Sequence, residues 1–162
     1  MAAQKTKIMS ENKKYTDFYK NRAVKCLKNY TALGNAELNI RDQLTAIDKY
    51  ISSGLDAMAS VLSPESAGDI IEPDFIKTRR VERDILHHRM MICIAKRRAI
   101  ERSLNALTED EKTVLDRFFL QPKRYNCAED LMELLGFEKT QIYRIRDRAL
   151  RNFAENMFGC EM

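Results

Sequence analysis

Apolar residues recur every three or four positions through most of the chain, a spacing that predicts amphipathic helices. From residue 15 to residue 51 the apolar residues follow one heptad register, which keeps its phase across Gly34 and Asn35. Glu37 is the single polar residue at a register position. Because two separate helices have no reason to share a phase, we expect one long helix, kinked or weakened at Gly34. The alternative is a stop at Gly34, with Asn35 capping a second helix. Gly54 is the predicted C-terminal end.

A second long helix is predicted from about residue 75 to residue 106, after a loop at residues 55–75 that contains two of the three prolines. One apolar stripe of this helix is expected to face the first helix: Val81, Ile85, His88, Ile92, Ala95 and Ala99. Residues 77–102 carry nine Lys and Arg against three Asp and Glu, which indicates a solvated basic face opposite that seam. We therefore expect an antiparallel helical hairpin within residues 1–106, with an exposed seam that favours a homodimer.

The last third of the chain contains the capping signals of short helices. Thr108 and Glu111 have the spacing of a capping box, in which each side chain accepts a hydrogen bond from the other residue's backbone N–H. Pro122 forbids continuation of that first helix. Asn126 is a predicted cap for the next helix, with Glu129 three positions later.

The final helix is predicted to follow a sharp turn at Gly136, a residue that adopts the left-handed backbone conformation easily. The apolar residues of the two helices after Pro122 define their buried faces: Ala128, Leu131, Leu134, Leu135, Ile142, Ile145, Ala149, Leu150 and Phe153. Residues 139–151 hold five Lys and Arg against one Asp. Positive charge concentrated on one helix favours contact with nucleic-acid phosphates.

Over about 50 residues this segment resembles region 4 of the bacterial sigma-70 factors. The resemblance rests on short matched positions: Val114-Leu115, Arg117-Phe118, residues 131–136, Ile142, Ile145 and Ala149-Leu150. It implies a helix-turn-helix domain at residues 107–162, so the expected fold class is all-α, a long helical hairpin followed by that domain.

A region 4-like domain preceded by a helical hairpin is similar to the RinA- and ArpU-type regulators encoded by phages and prophages. The resemblance implies a sequence-specific DNA-binding transcriptional activator of phage late genes, acting on promoter DNA in the bacterial cytoplasm. The alternative is a protein that binds host RNA polymerase, or another protein, through the same helices without reading DNA.

Site residues follow from the same resemblance, position by position. The positions that read bases are Lys139, Thr140, Tyr143 and Arg144. Arg117 and Arg148 match positions that hold phosphates, and Lys123 and Arg124 are added from their charge alone.

Other functional classes lack their signals in this sequence. The four cysteines include no close pair of the kind that metal sites use, and we expect neither a metal nor a cofactor. No nucleophile–base pair or Gly-rich phosphate loop is apparent, so we do not expect an enzyme. No apolar run approaches the roughly 20 residues of a membrane span, and the first residues lack the apolar segment of a secretory signal, which favours a cytoplasmic protein.

Overall fold

The computed structural model describes residues 2–61, 73–121 and 126–159, with side chains described except in residues 2–13 and 61. Within these ranges every regular element is helical and no strand occurs, which confirms the all-α prediction. A π-helical turn, Asp116–Leu120, continues the fourth helix. The helices are α1 (Ala2–Lys28), α2 (Tyr30–Val61), α3 (Asp74–Asn105), α4 (Glu109–Leu115), α5 (Cys127–Leu135) and α6 (Lys139–Phe158).

The first helical stretch is broken at Asn29, so the prediction of one continuous helix is wrong. Gly34 lies inside α2, and the alternative of a stop there is wrong as well. Gly54 does not end α2 either, because the helix continues to Val61 through part of the predicted loop. A Cβ atom at Gly54 would lie 3.3 Å from the ring of Phe75, so this glycine permits close approach of α3 rather than helix termination.

The chain divides into two compact units, one of residues 33–95 and one that joins residues 1–32 to residues 96–162. The predicted boundary between residues 106 and 107 does not coincide with this division. The reason is that α1 packs on α6, so the second unit draws residues from both ends of the chain.

In the unit of residues 33–95, α2 and α3 pack side by side. Tyr50 contacts Phe75 at 6.3 Å between ring centroids, and Asp48 pairs with Arg83 at 3.7 Å. Earlier residues of α2 thus meet later residues of α3, as antiparallel helices do. The core between them is formed by Ile40, Leu44, Ile47, Ile51, Ile76 and Leu86.

The predicted inner stripe of α3 is wrong. Val81, Ile85 and Ile92 are 60%, 56% and 40% exposed, whereas Leu86 is buried against α2. The α3 sequence carries two apolar stripes with helical spacing, and packing against α2 selects the one that contains Leu86.

In the unit that contains both chain ends, α6 packs against α1, α4 and α5. The predicted inner face of α6 is confirmed: Ile142, Ile145, Ala149, Leu150 and Phe153 are buried. Ala23 and Leu27 of α1 are also buried, and the Tyr19 ring lies 5.5 Å from that of Phe158. The prediction that α5 buries Leu134 is wrong, since that side chain is 57% exposed.

Candidate nucleic-acid interface

The turn between α5 and α6 depends on Gly136, whose φ of 69° is left-handed as predicted. Its N–H donates to the carbonyl of Met132 at 2.9 Å, which closes the end of α5. Phe137 packs against the core of Val114, Leu131, Ile142 and Ile145. Only residues 136–138 separate the two helices, so this short turn fixes where α6 begins.

The carboxylate of Glu111 links the start of α4 to α6. The predicted capping box is present, with Glu111 N–H donating to Thr108 Oγ1 at 3.4 Å and Thr108 N–H donating to Glu111 Oε2 at 3.3 Å. The other carboxylate oxygen, Oε1, accepts hydrogen bonds from Arg148 Nε and Asn152 Nδ2, both at 2.9 Å. Glu111 is only 3% exposed, so these hydrogen bonds connect α6 to α4 at a buried carboxylate.

One face of α6 is exposed from Thr140 to Arg151. Thr140, Arg144, Asp147 and Arg151 are spaced by four, three and four residues, which places them on one stripe, and all four are exposed. We call these four residues the outer stripe. Within the described ranges, Arg144 and Arg151 form no hydrogen bond or ion pair, so both guanidinium groups are free to bind a ligand.

Lys139 lies beside the outer stripe and forms an ion pair with Glu129 of α5, at 2.7 Å between Nζ and Oε1. This hydrogen bond lowers the pKa of Glu129 and raises the pKa of Lys139. The predicted capping role of Glu129 behind Asn126 is not formed. Asn126 precedes α5 with a left-handed φ of 73°, and its side chain makes no cap hydrogen bond.

Tyr143 is held in an aromatic and cationic cluster at the side of α6. Its ring centroid lies 6.0 Å from that of Phe118 and 4.8 Å from the guanidinium of Arg146. Arg146 also lies over the Phe118 ring and pairs with Asp147 at 2.8 Å. Sequence reasoning did not single out Arg146, although its spacing of three residues from Tyr143 is the signal that would have found it.

Arg117 is separate from the outer stripe. It lines an open groove of about 660 Å³ together with Tyr30, Glu101 and Leu134, and no described residue of α6 lines that groove. Its Nη1 donates to Gln121 Oε1 at 3.0 Å. Lys123 and Arg124 lie outside the described residues.

The structure thus separates the predicted site residues of α6 into two groups. Thr140 and Arg144 lie on the outer stripe, with Arg148 one position along from Asp147. Lys139 and Tyr143 lie to one side, each with a partner on another segment. Of the five basic side chains of α6, Lys139, Arg146 and Arg148 have acidic partners, whereas Arg144 and Arg151 have none among the described residues.

The described part of the chain has neither a metal site nor a membrane-spanning helix. It contains no group of three His, Cys, Asp or Glu side chains able to hold a metal ion, and Cys26, Cys93 and Cys127 form no disulfide with one another. None of its helices combines the length and apolar character that crossing a membrane requires. No family model, curated protein or solved structure matches this chain.

Proposed function

We propose that this protein binds double-stranded DNA in a sequence-specific manner and regulates transcription, with α6 as the helix that enters the major groove. The observation that carries the proposal is the outer stripe, where Arg144 and Arg151 are exposed and pair with no residue that the structure describes. Behind them, Ile142, Ile145 and Phe153 are buried, so the helix is anchored on one side and open on the other.

The local architecture supports the proposal. Two helices, α5 and α6, are joined by a three-residue turn at Gly136, and the second presents an exposed polar face, which favours the assignment of a helix-turn-helix motif. The resemblance of residues 107–162 to sigma-70 region 4, and of the whole chain to RinA- and ArpU-type regulators, favours promoter DNA and activation of phage or prophage late genes.

The chemistry of the outer stripe assigns roles to its residues. Arg144 is the base reader, because a free guanidinium reaches guanine O6 and N7 with two parallel hydrogen bonds. Thr140, one turn earlier, is placed to contact a thymine methyl group. Arg151, two turns later on the same stripe, is placed to hold a phosphate.

The remaining predicted residues contribute at the edges of the contact. Lys139 exchanges Glu129 for a phosphate, Tyr143 contacts the sugar-phosphate backbone beside the reading helix, and Arg148 uses the guanidinium hydrogens that Glu111 leaves free. Lys123, Arg124 and Arg117 add further phosphate contacts from the segment that precedes α5.

A second candidate is binding to bacterial RNA polymerase without DNA readout. The observation that favours it is the open groove of about 660 Å³, at which Leu134 is 57% exposed. An exposed leucine at the rim of a groove is suited to an apolar side chain of a protein partner.

The test is recovery and sequencing of the DNA fragments that the purified protein retains from its source genome. A short repeated motif upstream of one operon supports the proposal, and retention of fragments without any shared motif contradicts it. Mobility shift of that promoter fragment, compared with pull-down of RNA polymerase in the absence of DNA, separates the two candidates. Only the DNA-binding protein loses affinity steeply as salt concentration rises.

A further inference from the structure

The exposed face of α3 carries a second, mostly apolar stripe that packs against none of the described residues. Its largest members, Val81, Ile85 and Ile92, are 60%, 56% and 40% exposed. Its members are spaced by four, three, four and three residues, which is the heptad spacing of a coiled-coil seam. We call these residues the outer seam: Val81, Ile85, His88, Ile92 and Ala95.

The outer seam lies on the far side of α3 from α2. At 100° per residue, it is centred roughly 150° around the helix from the buried positions occupied by Leu86 and Met90. The packing of α2 on α3 therefore leaves this seam uncovered, although it repeats over two heptads. An exposed stripe of this length, apolar at four of its five positions, favours a further helix–helix contact.

We propose that the outer seam pairs with the same seam of a second copy of this chain, as a parallel, in-register coiled coil. In the heptad register, Ile85 and Ile92 occupy the a positions, and Val81, His88 and Ala95 occupy the d positions. β-Branched residues at a favour two-stranded parallel pairing.

The charges beside the outer seam match a second copy in this orientation. In a parallel pair, each g position faces the e position five residues later on the other helix. Asp84 then meets Arg89 of the second copy, and Lys77 meets Glu82 of the second copy, so both contacts join opposite charges. In an antiparallel pair g faces g and e faces e, and these matches are lost.

The partners of Asp84 and Arg89 within their own chain are weak or missing. The Asp84 side chain is 73% exposed, and among the described residues its one ionic partner is Arg83, at 3.6 Å. Arg89 is exposed and forms no hydrogen bond or ion pair with any described residue. Both side chains are therefore available to a second molecule. The inference goes beyond DNA binding and holds whether or not α6 reads bases.

The first experiment measures the dimer dissociation constant of the full-length protein by sedimentation equilibrium. Ile85→Asp is compared with Leu38→Asp, because these residues are equally exposed, at 56% and 55%, and Leu38 lies on α2 away from the outer seam. Ile85→Asp removes one isoleucine of each copy from the proposed dimer interface, so we expect the dissociation constant to increase roughly 100-fold or more. Leu38→Asp should dimerise like the unchanged protein.

Helicity by circular dichroism is the folding control for both variants, since neither side chain is buried. A protein that stays monomeric up to the submillimolar range overturns the proposal. So does an Ile85→Asp variant that dimerises as tightly as the unchanged protein.

A third variant, His88→Leu, adds a gain-of-function test. It replaces a polar residue at a d position, so it should tighten the dimer if the seam is buried there. No change, or a weaker dimer, contradicts the proposed interface.

The second experiment fixes the orientation. Asp84→Arg and Arg89→Asp should each weaken the dimer, and the double variant should restore it, because the opposite charges face one another again across a parallel pair. In a background in which the native cysteines are serine, Val81→Cys should cross-link to itself on oxidation, since the two copies of a d position adjoin in register. No rescue in the double variant, together with no Val81→Cys cross-link, rejects the parallel arrangement.

Discussion

Arg148 on α6 donates its Nε hydrogen to Glu111 at the start of α4, with 2.9 Å between nitrogen and carboxylate oxygen. The two residues are 37 positions apart in the chain, and the carboxylate is buried while the arginine side chain is 62% exposed. One carboxylate thus completes a helix cap and also positions the proposed reading helix.

Replacing Glu111 should destabilise the protein more than its position in a seven-residue helix would suggest. Glu111→Ala removes the cap partner of Thr108 and leaves Arg148 and Asn152 without their acceptor, so we expect a loss of about 2–3 kcal/mol in the free energy of unfolding. Urea unfolding followed by circular dichroism measures it. Glu109→Ala is the matched control, because this exposed glutamate forms only a surface pair with Lys112 and should cost less than about 0.5 kcal/mol. Equal losses in both variants would contradict the proposed network.

The two free guanidinium groups of α6 should contribute differently to DNA binding. Arg144→Ala should cost roughly 1–3 kcal/mol on the cognate site and relax specificity there, because it removes a contact with a base. Arg151→Ala should weaken binding to cognate and random DNA alike, as loss of a phosphate contact does. Fluorescence anisotropy at several salt concentrations measures both. The control is Arg98→Ala, which changes an exposed arginine on α3. If Arg144→Ala loses as much binding free energy on random DNA as on the cognate site, Arg144 contacts a phosphate and not a base.

The ion pair between Lys139 and Glu129 should appear in the pH dependence of stability. The hydrogen bond from Lys139 holds the pKa of Glu129 below 4.5, so the stabilisation is complete above that pH and is lost as pH falls through the folded-state pKa. The pKa of Lys139 is raised above 10.5, so its contribution is present below that pH and is lost as pH rises through its folded-state pKa. NMR titration of the Glu129 carboxyl group checks this. Lys139→Gln should move the midpoint of the Glu129 titration up toward 4.5. The control variant, Lys112→Gln, should leave this midpoint in place. An unchanged midpoint in Lys139→Gln would contradict the ion pair.

Two glycines within α2 should respond differently to alanine. A Cβ atom at Gly34 meets nothing within 4 Å, so Gly34→Ala should stabilise the protein by about 0.5–1 kcal/mol through helix propensity. At Gly54 the new methyl group would lie 3.3 Å from Phe75 and 3.5 Å from Ile76, so Gly54→Ala should gain less or lose stability. Thermal unfolding of both variants decides between them. Destabilisation by Gly34→Ala would instead support a helix break at that glycine.

Local signals in the sequence predicted three local features of the described residues between 107 and 158. The capping box of Thr108 and Glu111 forms, Gly136 is left-handed, and the apolar face of α6 is buried. Each of these features depends on residues only a few positions apart, so the sequence contains all the partners that decide it. The hydrogen bonds from Arg148 and Asn152 of α6 to Glu111 were not predicted, because these residues lie far from Glu111 in the chain.

The predictions of burial and helix packing failed where the sequence pattern is compatible with more than one packing arrangement. In α3 the stripe that contains Ile85 and the stripe that contains Leu86 have the same spacing, and only contact with α2 decides which is buried. The packing of α1 on α6 was likewise not predicted from the sequence. Ala23 and Leu27 are buried in the unit that contains α6, a helix more than a hundred residues later, and no local pattern indicates so distant a partner. Leu134 was predicted to be buried because it belongs to the apolar residues of α5. Ala128 and Leu131 of that helix are buried, but Leu134 is exposed.

The sequence by itself determined that the described part of the chain is helical, where the caps at Thr108 and Gly136 lie and which face of α6 is apolar, because these follow from periodicity and from hydrogen bonds between near neighbours. Only the tertiary structure decided which stripe of α3 is buried and that Lys139 and Arg148 of α6 are paired with Glu129 and Glu111. Both outcomes depend on partners from other helices, whose positions are set when the apolar faces pack together.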